Sequence, residues 1–235
     1  MYIVLKMQLM QLKHNIKIKS FYNRMKLLEL FSGTKSVSNA VGSQFNEIIS
    51  VDILNKYNPT FVCNILEWDY KQYPEGYFDA IWASPPCTEY SIILNSRPER
   101  KRNIEFANSI VQRTLEIIQY FKPNKWFIEN PQTGLLKNQS FMKNIPFYDI
   151  DYCMYSDFGY RKRTRIWTNK NTFNAKLCNK QCGNMIGNTH KYSTGNSYMG
   201  LKTKHQKDLY RIPEKLIQDL FGGEDGFQNK NMNIG

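Results

Sequence analysis

Four short apolar runs, each followed by residues that carry chemistry, constrain this chain more than anything else in it. Lys26–Phe31 (KLLELF) runs into Ser32–Gly33, and Glu47–Asp52 (EIISVD) ends in an acid. Phe78–Ser84 (FDAIWAS) is stopped by Pro85–Pro86 and then Cys87, and Lys125–Glu129 (KWFIE) is followed by Asn130. These runs read as strands. Between them, Ser36–Val41 suits a short helix, and residues 103–121 place Ile104, Ala107, Ile110, Val111, Leu115, Ile118 and Phe121 at helical spacing until Pro123 ends the element. Strand–helix alternation predicts an α/β fold with a mostly parallel sheet and helices on both faces. In such sheets ligands sit beyond the C-terminal strand ends. Gly33, Asp52, Pro85–Cys87 and Glu129–Asn130 are therefore expected along one edge.

Beyond that edge the pattern changes. Tyr148–Cys153 and Arg165–Thr168 read as later, antiparallel strands. Residues 25–169 form the expected catalytic unit, and the polar, weakly periodic residues 170–211 form a small irregular lobe. Residues 212–223 read as a helix opened at Pro213 that returns to the main unit. Residues 1–24, with five Lys/Arg and no acid, read as a basic extension, and 224–235 as a flexible tail.

Charge points to a partner. The chain of 235 residues carries a formal net charge of +12, with basic clusters at Arg97–Arg102, Arg161–Arg165 and Lys202–Lys207. That balance favours a polyanion, nucleic acid first, over a merely solvated basic surface. No stretch reaches the roughly 20 uninterrupted apolar residues that span a bilayer, and lysines interrupt the N-terminus too often for a secretory core. Five scattered cysteines suit a reduced, intracellular protein, in cytoplasm or nucleus, rather than a disulfide scaffold.

Four motifs in fixed order, LFSG (30–33), SPPC (84–87), ENP (129–131) and RKRTR (161–165), resemble those of the DNA cytosine-5 methyltransferases. The resemblance covers Lys26 to Thr168. It implies a Rossmann-like methyltransferase fold that takes S-adenosylmethionine as cofactor and DNA as partner, with no obligate protein partner. By this resemblance Cys87 is the nucleophile that attacks cytosine C6, and Glu129 is the acid at N3 and N4. Arg165 clamps cytosine O2 and positions Glu129, while Arg163 supports the mobile loop or a phosphate. Phe31 packs on the adenine, Gly33 makes the tight turn, Asp52 holds the ribose, and Asn64 and Pro85 border the cofactor. Arg97, Arg100, Lys101, Arg102 and Arg161 are the expected nucleic-acid contacts. The chain departs from the family pattern at Lys35 and Ser36, where further glycines are usual, at Asn64, where a carboxylate is usual, and at Arg161, usually glutamine.

Two alternatives stay open on sequence alone: the same chemistry on RNA, and an inactive nucleic-acid-binding protein on the same fold. Cys178-x₃-Cys182, followed by His190 and His205, invites a zinc reading. The loose spacing favours two reduced cysteines, and no metal is expected.

Overall fold

The computed structural model describes residues 25–97, 99–194 and 206–222. The predicted extension (1–24), the predicted tail (224–235), residue 223, and Lys202, Lys204 and His205 lie outside the described residues.

Seven strands form one sheet: β1 (Lys26–Leu30), β2 (Glu47–Asp52), β3 (Phe61–Val62), β4 (Ala80–Ala83), β5 (Lys125–Pro131), β6 (Phe147–Asp151) and β7 (Arg163–Thr168). Their order is β3-β2-β1-β4-β5-β7-β6. All neighbours pair in parallel except β7, which is antiparallel to both β5 and β6. The order reverses between β1 and β4, which makes the crevice at their C-terminal ends the place where such a sheet binds ligands. The expected α/β fold is thus present, and the chain ends its parallel run with one reversed strand.

The central strands β1, β4 and β5 bury both faces. Leu28, Leu30, Ile81, Ala83 and Ile128 face one core, and Leu27, Ala80, Trp82 and Phe127 face the other. Helix α1 (Ser36–Val41) and helix α2 (Ile104–Phe121) lie on opposite faces. The apolar stripe of α2 (Ala107, Val111, Leu115, Ile118 and Phe121) is buried in the first core. Asn103 caps the helix by accepting the Phe106 N–H, and Lys122 ends it in the left-handed conformation before Pro123. Beyond a four-residue turn, α3 (Gln206–Leu209), helix α4 (Glu214–Phe221) returns to the second core. There Phe221 meets Phe45, Trp82 and Phe127. Burying an aromatic side chain of this kind stabilises by roughly 1.5–3 kcal/mol.

Among its described residues the lobe is irregular apart from α3 and a small hairpin, β8 (Met185–Ile186) and β9 (Thr189–His190), turned at Gly187 with φ of 55°. Asn184 ties it to the body. Its amide donates to the carbonyls of Cys153 and Ser156, and its side-chain oxygen accepts the Gly159 N–H. No helix among the described residues is long and apolar enough to cross a membrane.

Candidate active site

On the β1–β2 side of the crevice the chain leaves β1 through Phe31 and Gly33, both at positive φ (56° and 44°). A Cβ on Gly33 would find no atom nearer than the Phe31 carbonyl oxygen at 3.8 Å, so the turn opens onto free space. Asp52 closes it. Oδ2 accepts the Gly33 N–H at 2.8 Å and Oδ1 accepts the Leu54 N–H at 2.8 Å. Each carboxylate oxygen keeps acceptor capacity for hydroxyl donors. Ile53 and Leu54 beside it are 66% and 61% exposed, an apolar ledge next to the acid that sequence reading missed. Ser32 Oγ is buried without a partner among the described residues. Asn64 folds into its own turn, with Oδ1 accepting the Leu66 N–H at 3.1 Å, which leaves one acceptor position.

Glu29 was also missed. It is buried in β1 and accepts the N–H groups of Val37 and Ser38, together with the Ser38 hydroxyl. It thereby caps α1 from beneath, because Lys35, the residue before the helix, makes no side-chain cap. Burial pushes the Glu29 carboxyl up from its ordinary value despite these donors.

On the other side β4 delivers Ser84-Pro85-Pro86-Cys87. The Ser84 N–H donates to the Leu30 carbonyl at 3.3 Å, which fastens this loop to β1 across the crevice. Asn130, fully buried, donates from its side-chain amide to the Pro85 carbonyl at 2.9 Å. Two prolines and this bond fix the thiol of Cys87 with little freedom. After Cys87 the buried Tyr90 anchors the chain, its hydroxyl donating to Asn108 at 2.8 Å.

Glu129 is buried at the end of β5. Its Oε1 accepts the Tyr152 hydroxyl at 3.0 Å and faces the Lys162 ammonium at 3.5 Å. Burial pushes the Cys87 thiol above its ordinary value; Lys162 draws it back and Glu129 adds to the rise. Lys162 is therefore the cation that acts on both groups. Sequence reading passed over it between two motif arginines.

The arginines are placed differently from the expectation that Arg165 positions Glu129. Neighbouring residues on a strand leave on opposite faces. Glu129 stands opposite Ile166 in the register, and Arg165 opposite Asn130, so the two side chains diverge. Arg165 instead makes a two-pronged pair with Asp149 (2.7 and 2.8 Å) and lies over the Phe147 ring at 3.5 Å. Arg163 pairs the same way with the buried Asp151 (3.0 and 2.8 Å). Burial raises the Asp151 carboxyl, but Arg163 and the Cys178 N–H overcome that and hold it below the ordinary range. Arg163 and Arg165 do share a face, and Arg161, just before β7, is exposed.

The basic loop residues also divide. Arg100 donates to the Glu89 carboxylate at 2.6 Å, and Arg102 to the Glu89 carbonyl and the Asn95 side chain. These two hold the loop's shape, Arg100 from an exposed position; Arg97 and Lys101 are exposed too.

A switch-point crevice flanked by a glycine turn with a diol-ready acid and by a rigid Pro-Pro-Cys loop, on a sheet with one reversed strand, defines a Rossmann-like methyltransferase. No family model matches the chain. A probable DNA (cytosine-5)-methyltransferase of Frog virus 3 (isolate Goorha) is 37% identical, over 83% of this chain and 98% of the viral protein. The chain belongs to the DNA (cytosine-5)-methyltransferase family. Among solved structures, the Entamoeba histolytica methyltransferase EhMeth matches at 20% identity and TM-score 0.47, covering 65% of this chain and 56% of that one. The S. pombe Dnmt2 methyltransferase matches at 14% identity and TM-score 0.45, covering 66% and 53%. The chain spans about half the length of these two structures.

Proposed function

We propose that this protein transfers a methyl group from S-adenosylmethionine to C5 of cytosine in DNA, through a covalent bond between Cys87 and cytosine C6. The observation that carries the reading is the meeting of Cys87, Glu129 and Lys162 on one side of the crevice, across from the Gly33 turn and Asp52.

The crevice suits the cofactor. Asp52 has acceptor capacity for a ribose diol, Phe31 and the exposed Ile53 and Leu54 offer apolar surface for an adenine, and Ser32 Oγ awaits a partner. Bound there, S-adenosylmethionine supplies an electrophilic methyl group. Asn64 and Pro85 border that space.

The chain's own residues supply the rest. Lys162 stabilises the Cys87 thiolate, the reactive form. The thiolate adds to C6 while Glu129, held by Tyr152, shares a proton with N3. Electron density then collects at C5, which takes the methyl group. The C5 proton then passes to solvent, the N3 proton returns to Glu129, and release of the Cys87 sulfur from C6 as thiolate restores the aromatic ring and the enzyme. C5 and C6 are out of reach inside a duplex, so the base is turned out of its stack or presented on a single strand. Arg163 and Arg165, expected as the clamp, are held by Asp151 and Asp149 on the face away from Glu129 and take no step in this reading. Arg97, Lys101 and Arg161 are exposed for backbone phosphates, with Arg100 and Arg102 shaping the loop that carries two of them.

Transfer of a labelled methyl group to DNA and to RNA, with the product nucleoside identified, tests this. Label in DNA as 5-methylcytosine is expected. Label in RNA alone would reassign the substrate, and no label from folded protein would make this a nucleic-acid-binding member of the family.

A further inference from the structure

Away from the crevice, four side chains converge that sequence reading did not assemble. Cys178 and Cys182 come from the start of the lobe, His190 from β9, and Cys153 from the turn that follows β6, 25 positions before Cys178. Their ligand atoms all lie within 4.8 Å of one another. Cys178 Sγ is 3.5 Å from Cys182 Sγ and 3.6 Å from His190 Nε2, and Cys182 Sγ is 3.4 Å from His190 Nε2.

We propose that Cys153, Cys178, Cys182 and His190 form a Cys₃His site for one structural zinc ion. The spacing argues for it. Tetrahedral zinc with its usual bond lengths sets sulfur–sulfur edges of about 3.8 Å and sulfur–nitrogen edges of about 3.6 Å. A disulfide needs about 2.05 Å between sulfurs, and all five cysteines here are free. Three thiolates and an imidazole select zinc over magnesium, calcium or manganese, which prefer oxygen. Four protein ligands leave no open position for a reacting water, so the role is structural. The backbone is shaped for it too. Lys180 takes the left-handed conformation (φ 70°), which turns its N–H onto Cys178 Sγ at 3.3 Å. The tight turn at Gly187 brings His190 back over the pair.

The site would do more than close the lobe. Asp151, Tyr152 and Cys153 are consecutive. Asp151 holds Arg163 and also accepts the Cys178 N–H, and Tyr152 holds Glu129. The ion therefore fixes the chain segment that holds Arg163 on one face of the sheet and Glu129 on the other. The metal site itself stands independently of the proposed reaction.

The test is elemental analysis of the full chain purified without chelator and without a histidine tag, from zinc-supplemented cells. One zinc per chain is expected, falling at least tenfold in Cys182→Ser and His190→Ala and unchanged in Cys63→Ser. Should those variants fail to fold, cobalt replacement in the unaltered chain decides. Visible bands of tetrahedral cobalt with a thiolate charge-transfer band support the site. A folded, metal-free protein with its cysteines reduced would overturn it, as would a Cys178–Cys182 disulfide or a cobalt spectrum without sulfur ligation.

Discussion

The Tyr152 hydroxyl donates to Glu129 Oε1 at 3.0 Å, and both groups are buried. Burial and the neighbouring carboxylate push the tyrosine's ionisation well above its ordinary value, so it stays a donor at any working pH. A hydrogen bond to a charged group contributes about 1.5–3 kcal/mol. Tyr152→Phe should lower kcat roughly ten- to hundredfold with the KM for S-adenosylmethionine unchanged. Steady-state kinetics check it; an unchanged kcat would remove Tyr152 from the positioning of Glu129.

Cys87 is predicted to be a slow thiol at neutral pH. Burial lifts its ionisation above the ordinary cysteine value, Lys162 opposes the rise and Glu129 adds to it. Alkylation of the unliganded protein, followed at Cys87 by mass spectrometry, should accelerate only as pH rises above that ordinary value. Lys162→Met should move the profile to higher pH and Glu129→Gln to lower pH. Profiles that move the opposite way would mean the two groups do not act on the thiol.

Asp151 links acid stability to the site. Its folded ionisation lies below the unfolded value, about 3.9. Its contribution is therefore fully present above that value and fades as pH falls through the lower, folded one. Asp151→Asn should cost roughly 2–3 kcal/mol at pH 7, a figure reduced because the Arg163 side chain is 33% exposed. The difference between the two proteins in urea unfolding should shrink below about pH 4. A pH-independent difference would mean the loss is one of packing.

Lys35 stands where the family usually has glycine, and its φ of 56° explains the preference. A side chain in the left-handed conformation costs about 1–2 kcal/mol, part of which a glycine returns through its freer unfolded chain. Lys35→Gly should therefore stabilise by roughly 0.5–1 kcal/mol, even though the exposed bond from Lys35 Nζ to the Asn58 carbonyl is lost. Destabilisation in urea titration would show that this bond outweighs the strain.

Much of the fold was legible because its signals are local. The α1 and β2 boundaries match the expected Ser36–Val41 and Glu47–Asp52, and α2 starts one residue inside its expected range. Two-residue β3, Phe61–Val62, carries no periodicity to detect. The edge that gathers Gly33, Asp52, Cys87 and Glu129 followed from strand ends alone. What hid were residues whose partners are distant in sequence. Lys162 reaches Glu129, 33 positions away, from the turn before β7. Tyr152 and Cys153 read as the apolar end of a strand, yet they belong to a turn that points each at a different cluster. Arg165 was matched to Glu129 by motif, and only the register of β5 on β7 shows that they face apart.

The most direct test of the account is capture of the covalent intermediate. A DNA duplex carrying 5-fluorocytosine, incubated with the protein and S-adenosylmethionine, cannot lose a proton from C5, so the sulfur–C6 bond persists. The account predicts a denaturation-resistant complex whose mass equals protein plus methylated oligonucleotide, with the cross-link mapped to Cys87 and absent in Cys87→Ser. A cross-link at another residue, or methylation of ordinary cytosine DNA by Cys87→Ser at the unaltered rate, would contradict it.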